Sequence, residues 1–201
     1  MINHVGTIQI DGLDIAQISR TVTRDRAFIA IPQDPAMMPF ASLRCNIDPT
    51  ETVSDDLLVR ALKKVMVWQH ITSQDTVRNP AEVLDAPMSA LPVLSSGQAQ
   101  LLALARALAK REVAKQRKPI IVLDEATSSL DPESESLIHD VVDEEFVGNC
   151  YTVIMVTHRP ALLVKRMREQ DAAVVMKDGK IEVVRRGQGA LQGVADEFAI
   201  S

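Results

Sequence analysis

Aromatic residues are scarce. Four Phe, one Trp and one Tyr make up 3% of 201 residues, which argues against the stacking platforms that hold single-stranded nucleic acid. An excess of positive charge is also missing. Lys and Arg number 22 against 27 Asp and Glu, a formal net charge of −5, so no basic footprint favours DNA or an anionic lipid surface. The two cysteines, Cys45 and Cys150, are too few for a disulfide scaffold or a cysteine-built metal site, and a reducing compartment is expected. No run approaches the roughly 18 apolar residues of a membrane span. Met1-Ile2-Asn3-His4 has neither the basic start nor the apolar stretch of a signal peptide. Nucleic acid and direct membrane insertion are therefore set aside. What remains is ordinary for a folded domain: 46% hydrophobic and 24% charged residues. The core must be built from Leu, Ile, Val, Ala and Met, in one domain or one domain with an inserted lobe.

The texture of the chain changes twice. In residues 1–33, Gly6 to Gly12 alternates apolar and polar, which predicts a short half-exposed strand, and Ala27-Phe28-Ile29-Ala30-Ile31 predicts a buried strand ended by Pro32. Residues 34–118 are strand-poor. A helix is predicted over Ser54 to Gln69, with Leu57, Leu58, Ala61, Leu62 and Val65 on one face, and a longer one over Gln98 to Lys115, with Leu101, Leu104, Ala105 and Leu108 repeating at helical spacing. Residues 119–201 alternate strand and helix. Ile120 to Leu123 is a fully apolar strand and Thr152 to Val156 another buried strand, and Asp131-Pro132 opens a helix with a cap and a first-position proline. Ala172 to Met176 and Lys180 to Val184 form a hairpin through Lys177-Asp178-Gly179, and a short helix follows from about Ala190 to Phe198. Buried strands alternating with helices define an α/β fold with a parallel sheet.

Four places could carry chemistry. The strand Ile120 to Leu123 delivers Asp124 and Glu125 at its C-terminal end, where α/β folds bind ligands. One carboxylate suits Mg²⁺ and the other an attacking water, although many strands end in acidic turn residues. Leu94-Ser95-Ser96-Gly97-Gln98 stands before the long helix, where free backbone N–H groups can cradle an anion; a plain serine cap explains it equally. His158 follows a buried strand and could touch a phosphate oxygen or a water, or be structural. Gln33, just past another buried strand, could reach a metal or simply turn the chain.

Their order and spacing say more. Gln33, Leu94 to Gln98, Asp124-Glu125, Ser128-Ser129-Leu130-Asp131 and His158 follow the motif order of ATP-binding-cassette (ABC) ATPases. Leu123 to Asp131 resembles that family's Walker B motif and D-loop, and Leu94 to Leu108 its signature motif and following helix. Ile31 to Pro35, followed by Leu43 to Pro49, resembles the second cassette of subfamily C, the conjugate and multidrug exporters. This resemblance implies a RecA-like P-loop NTPase core with an inserted helical lobe. Residues 1–33 and 119–201 would form the core and 34–118 the lobe. It further implies that Asp124 and Gln33 attend Mg²⁺, Glu125 polarises the attacking water, and His158 contacts the γ-phosphate of ATP. Ser95, Ser96, Gly97 and Gln98, with Ser128 and Asp131, would address the nucleotide held by a second nucleotide-binding domain in a head-to-tail pair. The implied setting is the cytoplasmic face of a membrane, beside the transmembrane domains of an exporter.

Two departures accompany the resemblance. Ser96 stands where the signature commonly has glycine. No Gly-x-x-x-x-Gly-Lys-Ser/Thr occurs in the 201 residues, so the Walker A cradle and its lysine are not supplied by this sequence. The expectation is an N-terminally truncated cassette that does not turn over ATP alone. A non-catalytic cassette that completes another chain's ATP site is the alternative. A chromosome-maintenance ATPase is disfavoured, because the roughly sixty residues between Gln33 and Leu94 carry no coiled-coil heptads.

Overall fold

The computed structural model describes residues 6–20, 27–73, 79–114, 117–128, 130–160 and 163–191. The chain divides into two compact units, residues 1–156 and 157–201, and each is described by itself.

In the first unit, the predicted half-exposed strand is reduced to β1 (Gln9–Ile10), which returns on itself as β2 (Leu13–Asp14). Asp11 and Gly12 both have left-handed backbones (φ 51° and 80°), as a two-residue primed hairpin turn requires. The three apolar strands form the parallel sheet. β3 (Phe28–Ile31), β4 (Ile120–Asp124) and β5 (Val153–Val156) lie in that order. Their register pairs Ile29 with Ile121 and Val153, and Ile31 with Leu123 and Met155. That face belongs to the core. The residues between them, Ala30, Val122 and Ile154, are paired on the opposite face, where Ala30 and Ile154 are exposed. The prediction of a parallel α/β sheet holds, with one of its two faces covered.

Residues 34–114 are helical, and no named strand occurs among the described ones. α1 (Leu43–Ile47) starts at Ser42, whose hydroxyl accepts from the Cys45 N–H at 3.1 Å. α2 (Asp55–Lys64) has an acidic first turn and a basic last turn, which complement the helix dipole. The single helix expected from 54 to 69 is instead two, α2 and α3 (Val67–Thr72), broken at Met66 with φ 61°. Val65 and Val67 explain the break. Two residues apart, they would fall on opposite sides of a continuous helix, and the left-handed residue between them lets both be buried. α4 (Pro80–Asp85) is capped by Asn79. α5 (Ser96–Ala114) matches the long predicted helix, and Leu101 to Ala105 and Ala107 to Ala109 are all buried. It is therefore the central post of the lobe, touching α1, α2, α3 and β3. α6 (Pro132–Val142) opens at Asp131 with proline at its first turn, as expected, and runs into one wide turn over Asp143–Val147.

The second unit contains the predicted hairpin, β6 (Ala172–Lys177) and β7 (Lys180–Arg186). Asp178 and Gly179 both have positive φ at its turn. The helix expected from about 190 to 198 lies almost entirely outside the described residues.

Candidate functional site

The site is built on the C-terminal edge of the sheet. Because Ile31 pairs with Leu123, β3 and β4 end side by side. Gln33 and the Asp124-Glu125 pair thus leave the sheet from neighbouring strands. Asp124 is exposed and Glu125 half-buried. Glu125 has φ 47°, a left-handed conformation that costs an L-residue free energy and clusters at functional turns. The surrounding bonds hold it there. Its N–H donates to the Val156 carbonyl at 3.0 Å, and its own carbonyl accepts from the Ser128 N–H at 3.1 Å. The turn so formed carries Ser128 back toward Gln33, whose Nε2 lies 3.5 Å from the Ser128 hydroxyl, the long limit of a hydrogen bond. Gln33, Asp124, Glu125 and Ser128 are thereby brought to one edge.

The Leu94 to Gln98 turn adjoins it. Ser95 and Gln98 form a reciprocal capping box: the Gln98 N–H donates to Ser95 Oγ at 3.2 Å, and the Ser95 N–H donates to Gln98 Oε1 at 2.9 Å. The two side chains that could have met a ligand directly are thus engaged in fixing the turn. Ala99 donates its N–H to the Ser95 carbonyl. The N–H groups of Ser96 and Gly97 are among the first-turn donors that a helix cannot pair internally, and they are the anion-competent atoms of the motif. Gly97 is buried against the start of α6. A Cβ built on it would stand 3.3 Å from Ser134 Oγ and 3.7 Å from Asp131 Oδ2, tight enough that Ser134 would have to shift.

Asp131 caps α6 fully. It accepts from the Glu133 N–H at 3.1 Å, the Ser134 N–H at 2.9 Å and the Ser134 hydroxyl at 2.7 Å. The two bonds from Ser134 are the main reason its carboxyl is held below the usual carboxylate range. Ser129, between these residues, lies outside the described ones. His158 belongs to the second unit, where it is exposed. Beside it the Arg159 N–H donates to Thr157 Oγ1 at 2.9 Å.

Sequence reasoning missed Gln100. It is 5% exposed, and its side-chain NH₂ donates to the carbonyls of Pro32, at 3.1 Å, and of Gln33. The signal was present: a glutamine four residues before Leu104, on the apolar stripe of α5, needs a buried partner.

The oxygen donors at the edge suit a hard cation. Asp124 and Gln33 offer carboxylate and amide oxygens, and among the described residues no group of three His, Cys, Asp or Glu could hold a metal alone.

The comparisons with known proteins bear on the family and the fold. A family model described as ABC transporter matches residues 1–128. The chain is 33% identical over 174 residues to the ABC transporter atnG of Emericella nidulans, covering 87% of this chain and 10% of that protein. It is 36% identical over 194 residues to ABC transporter C family member 13 of Oryza sativa, covering 96% and 12%. It is 38% identical over 177 residues to ABC transporter C family member 5 of Arabidopsis thaliana, covering 88% and 10%. A solved structure of a bacterial Atm1-family ABC exporter with ATP bound superposes with a TM-score of 0.73 at 26% identity, covering 98% of this chain and 32% of that one. The fold is that of a P-loop NTPase. This chain belongs to the ABC transporter family, as a nucleotide-binding domain of the exporter type. It spans 10–12% of the length of these three relatives. No helix among the described residues is long and apolar enough to cross a membrane.

Proposed function

We propose that this domain couples ATP binding and hydrolysis to export through the transmembrane domains of an ABC transporter, on the cytoplasmic face of a membrane. The observation that carries the reading is the convergence of Gln33, Asp124, Glu125 and Ser128 on one sheet edge. In this reading residues 1–33 and 119–201 belong to the ATPase core, and 34–118 are the helical lobe.

The roles are those that the family resemblance implies, and the shared sheet edge of Gln33, Asp124, Glu125 and Ser128 supports them. Asp124 and Gln33 would hold Mg²⁺, which supplies charge neutralisation at the phosphates. Glu125 stands one residue beyond Asp124, at the left-handed turn that takes it out of the strand. A carboxylate there orients a water for in-line attack on the γ-phosphorus and accepts its proton as the bond to the β-bridging oxygen breaks. The role that the family resemblance implies for His158 is contact with the γ-phosphate. The chemistry is positioning and charge stabilisation, which is why a shift of the Glu125 turn would be felt directly in rate.

Ser95 to Gln98, with Ser128 and Asp131, would serve the nucleotide bound to a second cassette arranged head to tail. The open N–H groups of Ser96 and Gly97, on a turn fixed by its own capping box, favour a phosphate arriving from outside this chain. The Walker A lysine and hydroxyl are not encoded in these 201 residues, so the chain is expected not to hydrolyse ATP by itself. The first-turn N–H groups of Ser96 and Gly97 also fit a second reading, in which the chain only completes a partner's site. The test is ATP turnover by a cassette that carries a P-loop, with and without this chain. Turnover should rise on addition, and Ser95→Ala or Gly97→Asp should abolish the rise. An unchanged rate with the wild-type chain would refute the signature's assigned role.

A further inference from the structure

Gln100 lies within α5, four residues beyond Ser96, the exposed first residue of the helix. Its side chain is nine-tenths buried, yet none of its bonds goes to a helix or a neighbouring side chain. Both donors go to consecutive carbonyls, of Pro32 and Gln33, which are 68 and 67 residues away in sequence. Its Oε1 is buried without a hydrogen-bond partner. Rotating the amide end for end would satisfy no one, because it would set that oxygen against two carbonyl oxygens. The orientation is therefore forced, and a buried acceptor is left unpaired in exchange for two donations to one turn. Such an arrangement would be costly as mere packing, since an apolar side chain of the same shape would avoid the unpaired oxygen.

What it holds is the segment from which Gln33 projects. Pro32, Gln33 and Asp34 are exposed. Through these two donations Gln100 ties the turn to the helix carrying Ser96 and Gly97. We propose that Gln100 is a positioning residue for Gln33: it keys the turn after β3 to the first turns of α5, so that the signature motif and Gln33 move as one body. The packing of Gly97 on Ser134 and Asp131, and the approach of Gln33 to Ser128, bring the start of α6 into the same body. The functional meaning of this link rests on the proposed role of Gln33; its existence does not.

The test is by NMR on the full 201-residue chain. In the wild type the backbone amides of Gln33 and Asp34 should have order parameters of about 0.85, and in Gln100→Leu they should fall below about 0.6 while residues 120–124 stay unchanged. Gln100→Glu adds a readout that packing would not move. Ionised, its carboxylate repels the two carbonyls; protonated, its hydroxyl donates to one of them. Order at Gln33 should be lost near pH 7.5 and recover toward about pH 5, with the wild type flat across the range. Unchanged order at Gln33 in Gln100→Leu, or an equal loss in β4, overturns the proposal. Should the variants fail to fold, the wild type decides: scalar couplings from the Gln100 side-chain nitrogen to the Pro32 and Gln33 carbonyls should be observed, and their absence overturns it. ATP turnover in an assembly with a P-loop-bearing cassette separates the two claims. No effect of Gly97→Asp would sink the exporter reading and leave the NMR result to judge Gln100. A loss with Gly97→Asp beside full activity in Gln100→Leu would sink the Gln100 proposal alone.

Discussion

The two faces of the three-stranded sheet have nearly the same composition and opposite fates. On one, Ile31 and Ile121 are fully buried, and Ile29 and Leu123 are almost so. On the other, Ile154 is 46% exposed and Val156 48%, with Ala30 exposed beside them. Both faces read as apolar strands, and parallel strands are ordinarily covered on both sides. The difference teaches that an apolar strand records how many layers the assembled fold has, while the register records which layer each residue meets. The helical lobe makes the contrast sharper. Around α5, core residues are buried from every direction, so this region is closed within the chain itself.

The largest effect should separate the faces. Ile121→Ala removes a fully buried side chain from the covered face and should cost about 2–5 kcal/mol. Ile154→Ala on the open face should stay within about 0.5 kcal/mol. Urea denaturation of the two variants measures both. Equal losses would mean that the open face is covered in solution. On the open face, the paired substitution Ile154→Thr, Val156→Thr should leave the urea midpoint unchanged and lower binding of a hydrophobic dye.

An ionic clasp ties the closed lobe to the wide turn after α6, and it gives a smaller, pH-dependent effect. Lys64 reaches Glu144 at 2.6 Å and Glu145 at 2.8 Å, and Arg111 meets both Glu145 and, at 2.8 Å, Glu112. Burial alone would raise the Glu145 carboxyl, but the bonds from Lys64 and Arg111 outweigh it and hold the group below its ordinary range. A carboxyl depressed in the folded state contributes stability above its unfolded value, near about 4.3, and loses it as pH falls through the folded value. Stability should therefore drop on acidification below about pH 4.3, and Glu145→Gln should flatten that drop while lowering stability at neutral pH. A pH series of thermal melts reads both. The smallest effect belongs to Met66, exposed and left-handed between α2 and α3. Met66→Gly should stabilise by about 0.5–1 kcal/mol, because glycine relieves the positive φ.

Much of this was legible. The three strands announced themselves as unbroken apolar runs ended by Pro32, Asp124 and the Thr157 turn, and the Asp131-Pro132 start of α6 followed from cap chemistry. Site residues were legible by order and spacing, because the C-terminal edges of neighbouring strands gather residues distant in sequence. Three things were not. The helix break at Met66 depends on burying Val65 and Val67 together, which periodicity over the whole segment averages away. The hairpin at 9–14 was hidden in an alternating run, although Asp11-Gly12 is a turn signal. For Gln100 the apolar stripe signalled burial but not the partners, because these are backbone carbonyls, which carry no sequence.

The most direct test compares Glu125→Gln with Gly97→Asp in the exporter assembly proposed for this domain. Glu125 acts, in the proposed mechanism, on nucleotide at this domain's own sheet edge, and Gly97 on nucleotide held by the second cassette. Loss of Mg-dependent ATP turnover in both variants is the predicted result. Loss with Gly97→Asp alone would contradict the catalytic role of Glu125 and leave the domain as the completing half of its partner's site.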